Sequence, residues 1–232
     1  MLEGMNTYQW AAPARSRAKR AIPRKADRHA VGQLVFGPGN GQCLGYASHL
    51  EYKVAICAIY RPDVIDVEEQ LEGVRYFLPS LPVGKQNPLH YIDFRVTKRG
   101  GHRVGLIVKP SCRVTPEFRA QVRAVAVAAR GKLVDSVCLV TEENINRIEL
   151  ANAEFMHEVR FPDPESDAVL ASFLPTMMEA CRISDIVRQT GLGDRGFAAV
   201  LRALTQQALQ FDRRQRITFD TVVWPAERGQ VQ

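Results

Sequence analysis

The 232-residue sequence contains no apolar run near the ~20 residues that a membrane-spanning helix needs. Its N-terminus also has no apolar core of the kind a secretory signal carries. These two absences point to a soluble, cytoplasmic protein with no membrane partner. No C-x-x-C pair occurs, and the five cysteines (Cys43, Cys57, Cys112, Cys138, Cys181) are scattered and odd in number. That pattern excludes a disulfide framework and a thiolate zinc site, and reads as buried, reduced thiols. Gly37-Pro38-Gly39-Asn40-Gly41 is glycine-rich, but no Gly-Lys-Ser/Thr follows it, so it is a loop and not a nucleotide-phosphate cradle. No internal repeat is visible.

Basic charge is plentiful. The formal net charge is +6 and the sequence pI is about 9.2, with 46% apolar and 24% charged residues. Such a balance suits a polyanionic partner, because phosphate neutralisation dominates nucleic-acid affinity. Arg15, Arg17, Lys19, Arg20, Arg24, Lys25 and Arg28 are concentrated in residues 1–30 among alanines and prolines. With no clear period, this stretch reads as a flexible basic arm, either touching phosphate or simply solvated.

Beyond the arm, residues 31–160 read as one α/β domain. Ser48 can cap a helix to about Tyr60, and Arg61-Pro62-Asp63 ends it. Extended runs follow at Val64–Gln70, Val74–Leu78 and His90–Thr97. Arg99-Gly100-Gly101-His102 then turns the chain into a strand over Arg103–Lys109. Thr115-Pro116 starts a helix that Gly131 closes, and Leu133–Val140 is a buried strand. Strand, helix and strand predict a right-handed parallel crossover. Thr141 is expected to cap a further helix through about Met156. The sum is a mixed sheet flanked by helices.

Within the hairpin, Ile92, Phe94 and Val96 alternate with Tyr91, Asp93 and Arg95, while Val104, Leu106 and Val108 alternate with Gly105, Ile107 and Lys109. Asp93 and Lys109 thus break the apolar pattern on neighbouring strands. Phosphodiester hydrolysis needs an activated water, compensation of phosphorane charge and a stabilised leaving oxygen. A carboxylate-held Mg2+ or Mn2+ with a lysine beside it meets most of these needs. By spacing alone the pair equally fits a surface salt bridge. His90 and His102 read as loop histidines.

Four segments run in a telling order: Ser48-His49-Leu50-Glu51, Val64-Ile65-Asp66-Val67-Glu68-Glu69-Gln70, Ile92-Asp93-Phe94, and Leu106-Ile107-Val108-Lys109-Pro110. Over about residues 31–157 they resemble the TnsA-type transposon endonucleases of the PD-(D/E)xK superfamily. The resemblance implies a restriction-endonuclease-like fold and metal-dependent cleavage of the 5′ strands at transposon ends. It also implies double-stranded DNA, a separate transposase and an AAA+ ATPase regulator as partners. Carried over by position, Glu51 and Asp93 become metal ligands, the Val108 main-chain carbonyl a third, and Lys109 the motif lysine. The departure is Ile107, where the family has Glu or Gln. An aliphatic group facing a metal cavity offers no oxygen, so two readings stand: an active nuclease, or a nuclease fold that binds DNA without cutting.

Phe161-Pro162-Asp163-Pro164 reads as a linker to a second domain over 165–226. Helices near 167–180, 183–189 and 195–209 precede short strands at 210–212 and 216–223, the plan of a winged helix-turn-helix. Arg195 and Arg202 on its third helix and Arg213, Arg214 and Arg216 at its wing form a candidate DNA footprint. Protein docking is the competing role, and Leu201, Leu204 and Leu209 read as core.

Overall fold

The computed structural model describes residues 11–20 and 30–226; Arg24, Lys25 and Arg28 lie outside them. The glycine-rich loop turns a hairpin that the sequence reading did not anticipate. Strands β1 (Gly32–Phe36) and β2 (Gln42–Tyr46) pair antiparallel across it. Gly41 has φ 79°, and a Cβ there would sit 2.6 Å from a Val35 methyl, so only glycine closes this turn.

Ser48 caps helix α1 (His49–Ile59), its hydroxyl accepting the Glu51 N–H at 3.1 Å. Strand β3 (Val64–Glu69) follows, then a small hairpin of β4 (Val74–Arg75) and β5 (Leu89–His90). Strands β6 (Phe94–Lys98) and β7 (Arg103–Val108) flank the expected turn, which the Lys98 N–H closes onto the His102 carbonyl at 2.9 Å. Thr115 caps helix α2 (Pro116–Ala129), which returns the chain to β8 (Ser136–Val140). The sheet order is β3-β6-β7-β8, antiparallel except for the parallel β7–β8 pair, as the crossover predicts. Thr141 caps a short 3-10 turn instead of a long helix. Asn146 caps helix α3 (Arg147–Glu158).

The sheet divides two apolar clusters. On one face lie Val54, Ile56 and Ala58 of α1, Ala153 and Met156 of α3, and Val67, Phe94 and Val96 of the strands. On the other, Val122, Val125 and Ala129 of α2 pack with Ile92, Ile107 and Val134. The architecture is therefore mixed α/β with helices on both faces. The five cysteines are all free but none is buried; Cys112 and Cys138 are exposed. No helix among the described residues is long and apolar enough to cross a membrane.

The C-terminal elements are helices α4 (Pro164–Phe173), α5 (Ile183–Thr190) and α6 (Asp194–Thr205) and strands β9 (Cys181–Arg182), β10 (Leu209–Phe211) and β11 (Val222–Pro225), with sheet order β10-β11-β9. Strand β9 escaped the sequence reading because two residues carry no period. Phe161–Pro164 is not a boundary between separate cores. Val200, Leu201 and Leu204 belong to the same buried cluster as α1 and α3. Asn152 of α3 donates to the Gln215 carbonyl (2.9 Å) and accepts the Ile217 N–H (2.9 Å), fastening the loop before β11 to the first half.

Arg202 is not a DNA contact. Its side chain is 8% exposed, pairs with Asp167 at 2.7 Å and donates to Ser166 Oγ at 3.0 Å, locking α6 onto α4. Removing one partner of a buried pair strands the other. Arg202→Ala is expected to lower the unfolding free energy by about 2–3 kcal/mol, discounted for the partly solvated Asp167. Arg214→Ala, at a side chain 90% exposed, is expected to change it by no measurable amount. Urea titration of both variants checks the contrast, and equal effects would refute the structural role of Arg202.

Candidate functional site

A regular strand puts residues i and i+2 on one face. Ile92 and Phe94 break that rule: Ile92 is buried in the α2-side cluster and Phe94 in the α1-side cluster. The alternation expected across Ile92–Val96 therefore fails at one residue, Asp93, where the backbone bends before β6 begins. Such breaks in a strand re-aim side chains. The Asp93 main chain stays bonded on both sides: its N–H donates to Leu106 (3.1 Å) and its carbonyl accepts from Gln70 (2.7 Å).

The Asp93 carboxylate accepts the Val108 N–H at 2.8 Å through Oδ2, and Oδ1 faces the Gln70 side-chain amide at 3.5 Å. Burial pushes the Asp93 carboxyl up to about 7. The Val108 amide opposes that shift, the Glu51 charge adds to it, and Gln70 and Lys109 oppose it more weakly. Glu51 and Lys109 are thus each near enough to act on Asp93 electrostatically.

Glu51 also completes the helix start. Its carboxylate accepts from the Ala47 N–H (2.8 Å) and the Ser48 hydroxyl (3.1 Å), so the capping role and the site role coexist in one side chain. A carboxylate has about four lone-pair positions, so these two bonds leave room for a cation. Lys109 follows β7, its N–H bonded to the Val140 carbonyl at 3.0 Å and its ammonium 5.0 Å from the Phe118 ring centroid. His90 lies beside this lysine. Burial first, and Lys109 second, hold its pKa below the usual imidazole range. Its Nδ1 meets the Gln121 amide at 3.3 Å, and its Nε2 is buried with no partner among the described residues.

Glu51 at the start of α1 and Asp93 just before β6 offer two hard-oxygen carboxylates, which fit Mg2+, an ion that commonly takes one or two carboxylates together with substrate phosphate. Ile107 and Val108 are the other two positions of the expected site. Ile107 is 1% exposed and packs under α2 with Ile92 and Val125, so it faces core and not a metal cavity. Val108 offers its amide to Asp93, which organises the carboxylate. Among the described residues, no three His, Cys, Asp or Glu side chains form a ready metal site.

Most of the expected DNA-contacting arginines are engaged within the protein. Residues 11–20 are a docked strap and not a flexible arm: Ala14 bonds to Gly41 (2.8 Å) and Cys43 (2.9 Å), and Ser16 donates to the buried Glu69. Arg17 makes a bidentate pair with Asp66 (2.9 and 2.6 Å) and donates to the Val67 carbonyl at 2.8 Å. The Asp66 carboxylate holds the Arg17 guanidinium above its ordinary range. Arg195 is occupied by Asp163 (2.5 Å) and Glu165 (2.9 Å). Arg213 turns inward to the Tyr60 carbonyl at 2.7 Å. Arg214 pairs with Asp212 at 3.0 Å but is otherwise open, and Arg216 is exposed, 5.7 Å from the Phe155 ring. On the strap, Arg15, Lys19 and Arg20 are exposed. The Lys19 N–H bonds to the Gln70 carbonyl (2.9 Å) and Arg20 lies 5.2 Å from the Tyr91 ring.

A separate cleft of about 500 Å³ lies between the Gly37–Gly41 turn and Phe161; Glu51, Asp93 and Lys109 do not line it. Gln70 and His90 also stand beside Asp93 and Lys109, although Gln70 was quoted only within its segment and His90 was read as a loop histidine, whereas it ends strand β5. The only signal was position, since Gln70 ends the quoted Glu-Glu-Gln segment and His90 stands three residues before Asp93.

No family model and no curated protein matches this chain, so the role of the site rests on its own chemistry. One consequence is a pH dependence. A carboxyl raised from 3.8 to about 7 binds a proton in the folded protein that the unfolded chain has released. Stability is therefore lost as pH rises from about 4 through 7. Asp93→Asn is expected to remove that slope and to be more stable than wild type at pH 8 by on the order of 2 kcal/mol. Urea unfolding between pH 4 and 8 measures it, and parallel stability curves would contradict the assignment.

Proposed function

We propose that the chain is a metal-dependent DNA endonuclease of the restriction-endonuclease-like class, similar in role to the TnsA-type enzymes that its motifs resemble. The observation that carries this reading is the buried Asp93 carboxyl, which feels the charges of both Glu51 and Lys109. The order α1, β3, β6, β7, α2, β8 supports it, because a helix carboxylate, a mid-sheet aspartate and a lysine after the next strand occur in the sequence that such nucleases require.

Asp93 and Glu51 would hold Mg2+ or Mn2+. The ion would supply Lewis acidity and a water acidified toward neutral pH. Asp93 is set for this role by its own environment: a carboxyl that titrates near 7 exchanges its proton for a cation readily. The Val108 amide fixes the orientation of the carboxylate. Lys109, steered by Phe118, offsets charge that builds on the phosphate, and exposed Lys19 and Arg20 meet the backbone next to it.

The C-terminal order of helix, strand, helix, helix, strand, strand, with the first strand at one edge of the sheet, supports a winged helix. Its helix α6 is buried over Gly196 and Ala199–Leu204, which disfavours insertion into a major groove. Protein docking is therefore the better reading for this half. By resemblance, the docking partners are a transposase and an AAA+ ATPase, with this chain cutting the 5′ strands. The burial of Ile107 favours a second reading, a DNA-binding fold that does not cleave.

Incubation with supercoiled and transposon-end DNA in Mg2+ or Mn2+, with and without the partner transposase, tests the proposal. Metal-dependent nicking is expected, reduced roughly 100-fold or more by Asp93→Ala. Equal nicking by wild type and variant would discard the catalytic assignment. Salt-sensitive binding with no cleavage under any divalent ion would establish the second reading.

A further inference from the structure

The residue that ends β3 has an unusual backbone. Gln70 has φ 43°, one of two positive values among the described non-glycine residues, and is 7% exposed. The left-handed region costs an L-residue roughly 1–2 kcal/mol. Glycine would adopt it freely. Two main-chain bonds impose this conformation: the Gln70 N–H donates to the Asp93 carbonyl and its own carbonyl accepts the Lys19 N–H from the strap. Strain of this kind collects where surrounding structure enforces a functional geometry.

The side chain is directed by that backbone to one place. Its only hydrogen-bond partner among the described residues is Asp93 Oδ1, at 3.5 Å, the long end of a hydrogen bond. The Gln70 amide oxygen has no hydrogen-bond partner among the described residues. The oxygen and nitrogen of a glutamine amide exchange places on a half-turn of its last torsion, and which faces a carboxylate is set by the surrounding charge. Beside an anion alone the NH2 group faces Asp93. Beside a cation held by Asp93 the amide oxygen would.

Resting on the nuclease reading above, we infer that Gln70 supplies the metal-binding side-chain oxygen that Ile107 cannot. The donor is relocated from β7 to the end of β3. Ile107 could then become a core residue under α2, because the oxygen comes from the end of β3, on the far side of β6. The set becomes Glu51, Asp93 and Gln70: two carboxylates and a neutral amide, all hard oxygen donors suited to Mg2+ or Mn2+. The strap takes part as well, since the Lys19 N–H helps to hold Gln70 in its left-handed conformation.

Mn2+ binding to the full chain, measured by calorimetry and by loss of the free-ion paramagnetic resonance signal, tests this without any cleavage assay. Three variants are used. Gln70→Gly keeps the backbone conformation and removes the amide, Gln70→Glu replaces the amide with a carboxylate of equal length, and Asp93→Ala removes the central ligand. Expected are loss of binding in Asp93→Ala, roughly tenfold weaker binding in Gln70→Gly, and binding at least as tight as wild type in Gln70→Glu. Undiminished affinity in Gln70→Gly, with binding lost in Asp93→Ala, would overturn the Gln70 assignment and leave the metal site standing. Indifference of binding to Asp93→Ala, or no binding by wild type, would overturn both. Thermal melts confirm folding. Should Gln70→Gly not fold, weaker binding by Gln70→Glu would itself refute the role.

Discussion

The candidate site depends on a carboxylate placed where a strand loses its regularity. Asp93 stands between Ile92 and Phe94, whose side chains go to opposite faces of the sheet. A regular strand would bury Asp93 in one of the two clusters or leave it on an open face. The break instead sets the carboxylate at the start of β6, against the Val108 amide and within the field of Glu51 and Lys109. Low-dielectric surroundings raise the cost of its charge, and only partners that compensate that charge settle it. Gln70, the strap and the α1 cap are all arranged around that requirement.

The structure also changes the meaning of the basic composition. A net charge of +6 invites a broad phosphate-binding surface, yet many arginines serve the fold. Arg17 binds the strap to β3, Arg202 and Arg195 bind α6 to α4, and Arg213 binds the last loop to the end of α1. Guanidinium suits these tasks because its planar fork satisfies a carboxylate in two places while its stem packs against apolar neighbours. The exposed cations are fewer, and the strap carries three of them, Arg15, Lys19 and Arg20.

Much of the first half was legible because its signals are local. Ser48 and Thr115-Pro116 mark helix starts within three residues, Arg99–His102 marks a turn, and the β-branched run after Gly131 marks a strand whose parallel pairing follows from the intervening helix. Glu51, Asp93 and Lys109 were legible only as motif positions, and the structure brings their charges together. What escaped was set at a distance. A charge pattern on a helix cannot reveal that Arg202 will meet Asp167, 35 positions earlier, nor can an arginine in a proline-flanked tail reveal Asp66, 49 positions away. The face switch at Asp93 and the left-handed Gln70 arise from pairing among three strands, which no window of sequence contains.

The most direct measurement of the central claim is an anomalous-scattering map from crystals of the wild-type protein soaked in Mn2+. A peak within coordinating distance of both the Asp93 and Glu51 carboxylates is the predicted result. Saturating Mn2+ with no peak there, or with those two carboxylates turned into separate solvent, would contradict it.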